Sequence, residues 1–191
     1  MKISKAPFRV SIFGGGTDFK SWYSKNTSTV ISFSIDRYCY VTIRKLLPFY
    51  GNDYRISWSV IERPAQINEI AHPSIRECLK FKGVDCGLEI HTDGDLPARS
   101  GLGSSSTFTV AFLHAYNSFK GKENNRYALA EDAIYVEQVL LEESVGIQDQ
   151  IQACYGGFNV IKIRKDGNYS IFNVSEENQL VREIENHIVL V

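Results

Sequence analysis

The sequence predicts an α+β fold, and three observations lead to that class. Runs of β-branched and aromatic residues with rough alternation fill the first third of the 191-residue chain and indicate strands. The middle of the chain carries apolar residues at helical spacing, and strand-like runs return around the turn Lys165-Asp-Gly-Asn168. Because these strands and helices alternate irregularly along the chain, the class is α+β.

Strands are predicted where β-forming residues cluster between turn signals. Near the N-terminus, Gly14-Gly-Gly-Thr17 ends the first strand. The predicted strands are Phe8–Phe13, Ser28–Ile35, Tyr38–Leu46, Tyr54–Trp58, Leu88–Thr92, Phe158–Ile163 and Tyr169–Val174.

Four helices are predicted between these strands. The first has Pro73 at its opening position and Gly83 at its end, the usual places for these residues. The run from Phe108 to Phe119 is almost wholly apolar, so we expect a buried helix there. The predicted helices cover Pro73–Gly83, Phe108–Phe119, Tyr127–Glu143 and Gly146–Gly157.

Composition and charge exclude several classes of protein. Hydrophobic residues make up 43% of the chain and charged residues 23%, the mixture of an ordinary soluble domain. The net charge of −1 gives no field that would draw the chain to nucleic acid or to an acidic membrane. No stretch approaches the roughly 20 apolar residues of a membrane helix, and no signal peptide is evident. We therefore expect neither a nucleic-acid nor a membrane partner.

The cysteines indicate a reducing compartment. No two of them form a C-x-x-C pair, and none has a histidine at zinc spacing. Scattered thiols of this kind are expected to be buried and free, which is typical of a cytoplasmic protein. The thiols in question are those of Cys39, Cys78, Cys86 and Cys154.

A glycine-serine loop is the first motif that carries chemistry. The segment Gly101-Leu-Gly-Ser-Ser-Ser106 lies between a strand-like stretch and the buried helix. Glycines let the backbone approach a ligand, and the N-terminus of the next helix presents N–H groups and a partial positive charge. This combination predicts a phosphate cradle. No Gly-Lys-Ser/Thr follows, so it is not a Walker A loop; the alternative is a serine-rich cap on an ordinary helix.

Three motifs in order resemble the GHMP kinase superfamily. Pro97-x-x-x-Gly101-Leu-Gly-Ser-Ser-Ser106 resembles its central phosphate-binding motif. Ala6-Pro-Phe-Arg-Val-Ser-Ile-Phe-Gly-Gly-Gly-Thr-Asp18 resembles the first motif of its sugar kinases, and Gly146-Ile-Gln-Asp149-Gln the segment with their catalytic aspartate. The resemblance implies a domain of the ribosomal-protein-S5-domain-2-like type, with ATP and Mg²⁺ as cofactors. Residues 1–191 would form its N-terminal, ATP-binding domain.

The end of the sequence suggests an interrupted protein. His187-Ile-Val-Leu-Val191 is predicted to be a strand, and apolar β-formers rarely end a domain. The third glycine-rich motif that the family carries in a second domain is not found here. We therefore expect further sequence beyond Val191, and association with another copy where the missing domain leaves apolar surface exposed.

The first motif also narrows the substrate class. Galactokinases have Gly-Glu-His before Thr-Asp, whereas this chain has Gly14-Gly-Gly. The triple-glycine version is similar to the D-glycero-D-manno-heptose 7-phosphate kinases, which phosphorylate the anomeric hydroxyl of a heptose phosphate on the way to nucleotide-activated heptose for surface glycans. The resemblance implies the same activity here. Kinases of fucose, galactose or mevalonate type remain alternatives, as does a nucleotide-binding domain without catalysis.

Catalytic roles follow from the resemblance. Asp149 is assigned as the general base that accepts the proton of the sugar hydroxyl; alternatively it is a carboxylate at a helix N-terminus. Arg9 lies in an apolar strand and must face solvent or a fixed anion. Its functional assignment is a cation near Asp149 or the transferring phosphate.

Binding roles are implied for three further groups. Glu137 and Ser105 are assigned to Mg²⁺, although Glu137 could be an ordinary exposed helix residue. Arg99 is either a phosphate contact or a solvent-exposed side chain. Among the glycine-loop residues, Asp18 is expected to bind sugar hydroxyls, or else only to cap local N–H groups. The remaining assignments are Pro97, Gly101, Leu102, Gly103, Ser104, Ser105 and Ser106 to the nucleotide phosphates, and Gly15, Gly16, Thr17 and Asp18 to the sugar.

Overall fold

The described part of the chain folds into one mixed sheet with helices packed against it. The computed structural model describes residues 1–47, 53–98 and 100–189. Its strands are β1 (Lys2–Phe13), β2 (Ser28–Lys45), β3 (Tyr54–Ser57), β4 (Ile61–Glu62), β5 (Leu88–Gly94), β6 (Phe158–Ile163) and β7 (Tyr169–Val174). Its helices are α1 (Lys20–Tyr23), α2 (Pro73–Phe81), α3 (Ser104–Phe119), α4 (Arg126–Tyr135), α5 (Gln148–Tyr155) and α6 (Gln179–His187). The α+β class is confirmed.

Strand β2 is the centre of the sheet. It pairs antiparallel with β1 along one edge. Along its other edge it pairs with β6 over Ser28–Phe33 and with β5 over Cys39–Lys45. The sheet runs β4-β3-β5-β2-β6-β7, and β3 pairs in parallel with β5. The central strand thereby connects the two halves of the sheet.

Two strands that were predicted separately are one strand in the structure. The prediction Ser28–Ile35 falls within β2, and the prediction Tyr38–Leu46 extends one residue past its end at Lys45. The gap between them coincides with an irregularity in the pairing, because Pro7 lies opposite Tyr38 whereas Arg9 lies opposite Ser34. A bulge interrupts the alternation of apolar residues without ending the strand.

Helix α3 forms the centre of the hydrophobic core, as its apolar sequence predicted. Phe112 and Leu113 are fully buried in it. They belong to one apolar cluster with side chains of the sheet, such as Ile43 and Ile90, and of α2, such as Leu79. Among the described residues, none of the helices has both the length and the apolarity needed to cross a bilayer. The core therefore holds the start of α3, which follows the glycine-serine loop, against the sheet.

The helix predicted over Tyr127–Glu143 changes character part-way. Helix α4 ends at Tyr135, and the chain continues through the π-helical segment Val136–Leu140. Glu142 then turns the chain with a φ of 54°. π-helical turns inside helices are rare and are often found at functional sites, and this one carries Glu137.

The strand predicted over His187–Val191 is wrong where the structure describes it. His187 is the last residue of α6, and neither Ile188 nor Val189 is in a strand. Leu190 and Val191 lie outside the described residues. Asn178 caps this helix, with its side-chain oxygen accepting a hydrogen bond from the Leu180 amide at 2.9 Å. The helix that Asn178 caps thus includes His187, the first residue of the predicted strand.

Truncation of Phe112 tests the core. We expect Phe112→Ala to lower the free energy of unfolding by about 3–5 kcal/mol, because a fully buried ring leaves a cavity that the sheet cannot fill. Urea denaturation measures the change. The matched control is Phe172→Ala, since this ring is 52% exposed and its loss should cost about 1 kcal/mol or less. Equal effects of the two substitutions would contradict the position of α3 in the core.

Candidate active site

An ion pair between β1 and α5 lies at the centre of the site. Arg9 Nε donates to Asp149 Oδ1 at 2.6 Å, and Arg9 Nη2 donates to Asp149 Oδ2 at 2.7 Å. The two side chains are 13% and 24% exposed. This two-bond geometry fixes both the direction and the rotation of the carboxylate. The structure thus brings together the two predicted catalytic residues, which are 140 positions apart in the chain.

The glycine-serine loop is hydrogen-bonded to the same arginine. Arg9 Nη1 donates to the carbonyl oxygen of Gly101 at 3.1 Å, and the Arg9 amide donates to the carbonyl oxygen of Leu102 at 3.2 Å. Gly103 follows with a φ of 77°, and a Cβ there would lie 3.3 Å from both Arg9 Cγ and Asp149 Oδ2. The conformation and the available space both require glycine. The predicted phosphate loop therefore adjoins the predicted base.

The loop leads into the first turn of α3. Gly103 precedes the helix, and Ser104, Ser105 and Ser106 form its opening turn. Ser105 is exposed, whereas Ser106 is buried. The N-terminus of a helix presents backbone N–H groups and a partial positive charge, which suits an anion. Pro97 is exposed upstream of the loop, and Arg99 lies outside the described residues.

An aromatic cleft adjoins this helix start. It has a volume of about 670 Å³ and borders Ser104 and Ser105. The His72 ring packs edge-on against Trp58 and at a tilt against Phe108, with centroid distances of 5.0 Å in both cases. Sequence reasoning missed this cluster, because the three aromatic residues lie far apart in the chain. Such a cleft can accept a flat ring beside the phosphate loop.

Glu137 is a buried carboxylate behind the loop. Its Oε2 accepts hydrogen bonds from Ser106 Oγ at 2.7 Å and from Gln150 Nε2 at 2.5 Å. Its Oε1 is buried without a hydrogen-bond partner. Burial raises the pKa of Glu137 to about 7, against the lowering effect of its hydrogen bonds. The serine that contacts Glu137 is Ser106, whereas the prediction had paired it with Ser105.

The donor set around Glu137 fits a magnesium ion with few protein ligands. No group of three or more His, Cys, Asp or Glu side chains suited to a metal occurs in the described ranges. Mg²⁺ prefers one or two protein oxygens together with phosphate oxygens and water. Glu137 Oε1 is an acceptor in need of a partner, and Ser105 is an exposed hydroxyl at the start of α3. The residues present are therefore compatible with Mg²⁺ bound together with a nucleotide.

The triple-glycine loop lies against the start of α5. Thr17 closes a tight turn, because its amide and its hydroxyl both donate to the carbonyl oxygen of Gly14, at 3.1 and 2.7 Å. A Cβ at Gly15 would lie 3.6 Å from Gln148 Nε2. The predicted sugar-binding loop and the helix of Asp149 are thus neighbours.

Asp18 does not face the cleft. Its side chain is fully buried, and it accepts hydrogen bonds from the amides of Gly16 and Gln148 and from the Gln148 side chain. A direct contact between Asp18 and a sugar would require these bonds to break. The predicted contact with sugar hydroxyls stays a prediction, and the geometry gives this carboxylate another role. No sequence signal identified Gln148 or Gln150 as partners of buried carboxylates.

Comparison with known proteins shows which family the middle of the chain resembles. Residues 67–157 match the family model described as the GHMP kinases N terminal domain. This part of the chain is therefore similar to the N-terminal domain of GHMP kinases. The match includes the glycine-serine loop, Glu137 and Asp149, whereas Arg9 and the triple-glycine loop precede it.

Two curated proteins are similar to most of this chain. The D-glycero-alpha-D-manno-heptose 7-phosphate kinase of Campylobacter jejuni subsp. jejuni serotype O:2 is 26% identical over 207 residues, which cover 98% of the chain and 58% of the relative. The galactokinase of Chloroflexus aurantiacus is 27% identical over 170 residues, which cover 81% of the chain and 41% of the relative. The chain thus spans about half the length of these relatives.

Solved structures share the GHMP kinase fold. A D-glycero-D-manno-heptose 1-phosphate kinase from Bacteriodes thetaiotaomicron aligns with a TM-score of 0.86 at 24% identity, covering 97% of this chain and 63% of that one. The Streptococcus pneumoniae phosphomevalonate kinase in complex with phosphomevalonate and AMPPNP aligns with a TM-score of 0.73 at 13% identity, with coverage of 92% and 59%. The predicted fold is confirmed.

The buried Glu137 predicts a pH dependence of stability. The pKa rises from 4.5 in the unfolded chain to about 7 in the folded one, so between these values the folded protein holds a proton that the unfolded chain releases. Its contribution is fully present below about pH 4.5 and is lost as the pH rises through 7, a change of about 3 kcal/mol. Urea denaturation in a chelating buffer, from pH 5 to pH 8, measures it.

The control for this prediction is Glu137→Gln, which keeps the shape and cannot ionise. We expect the variant to lose that part of the pH dependence and to be more stable than wild type at pH 8 without divalent cations. Parallel pH profiles for the two proteins would show that Glu137 does not hold the proton.

Proposed function

We propose that the protein is an ATP-dependent small-molecule kinase that transfers the γ-phosphoryl group to a sugar hydroxyl. The observation that carries the proposal is the Arg9–Asp149 pair, held directly beside Gly103 of the glycine-serine loop. A candidate base, a cation and an anion-binding helix start therefore converge at one point. Phosphoryl transfer requires these groups, because its catalysis consists mainly of positioning and charge stabilisation.

Asp149 accepts the proton of the acceptor hydroxyl in this proposal. Each of its oxygens accepts one hydrogen bond from Arg9, and a carboxylate oxygen can accept a second. The two bonds hold the carboxylate in one orientation, so that its remaining lone pairs point in fixed directions. Arg9 also places positive charge next to the loop where the phosphates bind, which opposes the build-up of negative charge in the transition state.

ATP would bind between the loop and the aromatic cleft. The phosphates would take the N-terminus of α3, at Gly103 and Ser104–Ser106. The adenine ring would enter the adjoining cleft of Trp58, His72 and Phe108. Glu137 and Ser105 would hold Mg²⁺, whose chemistry when bound is to neutralise charge on the phosphate oxygens.

The proposed substrate is D-glycero-D-manno-heptose 7-phosphate, with its anomeric hydroxyl as the acceptor. The Gly14-Gly-Gly-Thr-Asp18 loop and the similarity to the Campylobacter heptose 7-phosphate kinase support this choice. Glycine in place of larger side chains leaves room for a bulky sugar next to α5. The names of the two heptose kinases differ in the phosphate position, so the acceptor hydroxyl must be determined directly.

A coupled kinase assay on the full-length protein tests the substrate. Heptose 7-phosphate, fucose, galactose and mevalonate are compared with ATP and Mg²⁺, and phosphorus NMR of the product locates the new phosphate. We expect turnover with the heptose and a new phosphate at C1. Preference for another acceptor would contradict the proposed substrate and support the proposed kinase activity. Absence of turnover with all four would favour the non-catalytic alternative, against which the pairing of Arg9 with Asp149 argues.

The cellular setting follows from the reaction. The four cysteines are free thiols in the structure, and ATP is the proposed donor, so we place the enzyme in the cytoplasm. Self-association stays a prediction, and light scattering of the purified protein measures it.

The role of Asp149 is tested by Asp149→Asn. We expect kcat to fall by about 10²–10⁴-fold, the usual contribution of a general base, while affinity for ATP changes little. The matched control is Asp166→Asn in the exposed turn between β6 and β7, which should leave kcat unchanged. If the Asp149 variant keeps more than half of the wild-type kcat, Asp149 is not the base.

The loop is tested by Gly103→Val. The added side chain would meet Arg9 and Asp149, so we expect weaker binding of Mg-ATP in calorimetric titration with the fold retained. Gly121→Val is the matched control, because Gly121 also has a left-handed φ of 70° and a Cβ there meets nothing within 4 Å. Equal affinities for Mg-ATP in the two variants would show that the nucleotide binds elsewhere.

A further inference from the structure

Helix α5 begins without a cap of its own. Ile147 stands at the capping position and its side chain makes no capping hydrogen bond. Asp18 supplies the missing acceptor from the triple-glycine loop, with its Oδ2 accepting from the Gln148 amide at 3.1 Å. The two residues are 130 positions apart. A carboxylate at this place satisfies a helix N–H group and interacts favourably with the helix dipole.

The same carboxylate also holds the loop. Asp18 Oδ1 accepts from the Gly16 amide at 3.0 Å and from Gln148 Nε2 at 3.2 Å. No Lys, Arg or His of the described ranges forms an ion pair with Asp18. Amide donors alone therefore compensate a fully buried charge, which is stable only while both the loop and the helix keep their places.

Gly146 provides the space for this carboxylate. A Cβ at Gly146 would lie 1.8 Å from Asp18 Oδ2 and 2.4 Å from its Cγ. The φ of Gly146 is not in the left-handed region, and the three atoms nearest to an added Cβ all belong to Asp18, so the main conflict of alanine would be with this carboxylate. Gly146 and Asp18 thus form a matched pair at the start of α5.

We infer that Asp18 is a positioning residue that joins the triple-glycine loop to α5 and thereby aims Asp149 at the acceptor hydroxyl. Asp149 directly follows Gln148, the residue that Asp18 binds through both its amide and its side chain. A displacement of the helix start therefore moves the base directly. The inference rests on the proposed kinase function, and it gives Asp18 an indirect role in place of contact with the sugar.

A double-mutant cycle tests this inference on the full-length protein. Asp18→Ala removes the carboxylate, and Gly146→Ala pushes it aside with its charge intact. We expect each substitution to lower kcat by about 10- to 100-fold, because a misplacement of about 1 Å has effects of that size. The KM for ATP should change by less than about threefold, since neither residue contacts the phosphate loop. The double variant should be no slower than either single variant, because the clash disappears with the carboxylate.

Additive losses in the double variant would overturn the inference, since independent sites add. A direct sugar ligand gives a different pattern: Asp18→Ala would raise the KM for the acceptor with kcat retained, and Gly146→Ala would have no effect. Asp18→Asn keeps one acceptor oxygen and should recover part of the lost kcat. Recovery of the acceptor KM alone would also support direct binding and overturn the positioning role.

Hydrogen exchange separates this inference from the proposed function. In NMR exchange measurements without substrates, Asp18→Ala and Gly146→Ala should each accelerate exchange of the Gln148 amide, whatever reaction the protein catalyses. Asp85→Ala is the control, because it removes an exposed carboxylate paired with Lys120 and should leave that amide unchanged. Unchanged exchange in the Asp18 variant overturns the capping contact. Faster exchange in the two variants of a protein without kinase turnover would contradict the proposed function and leave the contact intact.

Discussion

The bond between Arg9 and Asp149 is the constraint on which the rest of the site depends. A partly buried ion pair is stable only with good geometry, because both charges lose water. The two parallel hydrogen bonds meet that condition, and the third bond from Arg9 ties the Gly101 carbonyl to the same point. Strand β1, the glycine-serine loop and α5 must therefore all lie within hydrogen-bonding distance of the Arg9 guanidinium group. A side chain at Gly103 would crowd this point.

Polar contacts fix α5 on the sheet in addition to the apolar packing of Ile151. Gln152 accepts hydrogen bonds from Ser32 and Asn159, and donates to Ser34 and to the carbonyl oxygen of Gly157. Apolar side chains would tolerate a small rotation of the helix, whereas a buried hydrogen-bond network has one satisfied arrangement. The proposed base Asp149, three residues earlier in α5, benefits from such an anchor.

Motif order and local pattern predicted the parts of the site that are local in sequence. The loop of Gly101–Ser106, the partners Arg9 and Asp149, and the buried α3 were all expected, and the structure brings them together. The surroundings of Asp18 and Glu137 were not expected, because their partners come from 130 and 31 positions away. The spacing of residues in the sequence cannot show that the Asp18 carboxylate occupies the space beside Gly146, nor that Ser106 is the serine that contacts Glu137. The end of α4 was missed for a related reason, since its π-helical turn is set by tertiary contacts.

The composition of α5 explains how one short helix serves all of these partners. Its sequence is polar enough to suggest a surface helix, yet Gln148, Gln150 and Gln152 are buried. Each of them contacts a different part of the candidate site: Asp18 of the triple-glycine loop, Glu137 behind the glycine-serine loop, and the polar face of the sheet. Asp149 lies among them and reaches β1. The eight residues of α5 therefore connect the nucleotide side of the proposed site to the acceptor side through hydrogen bonds to each of these neighbours.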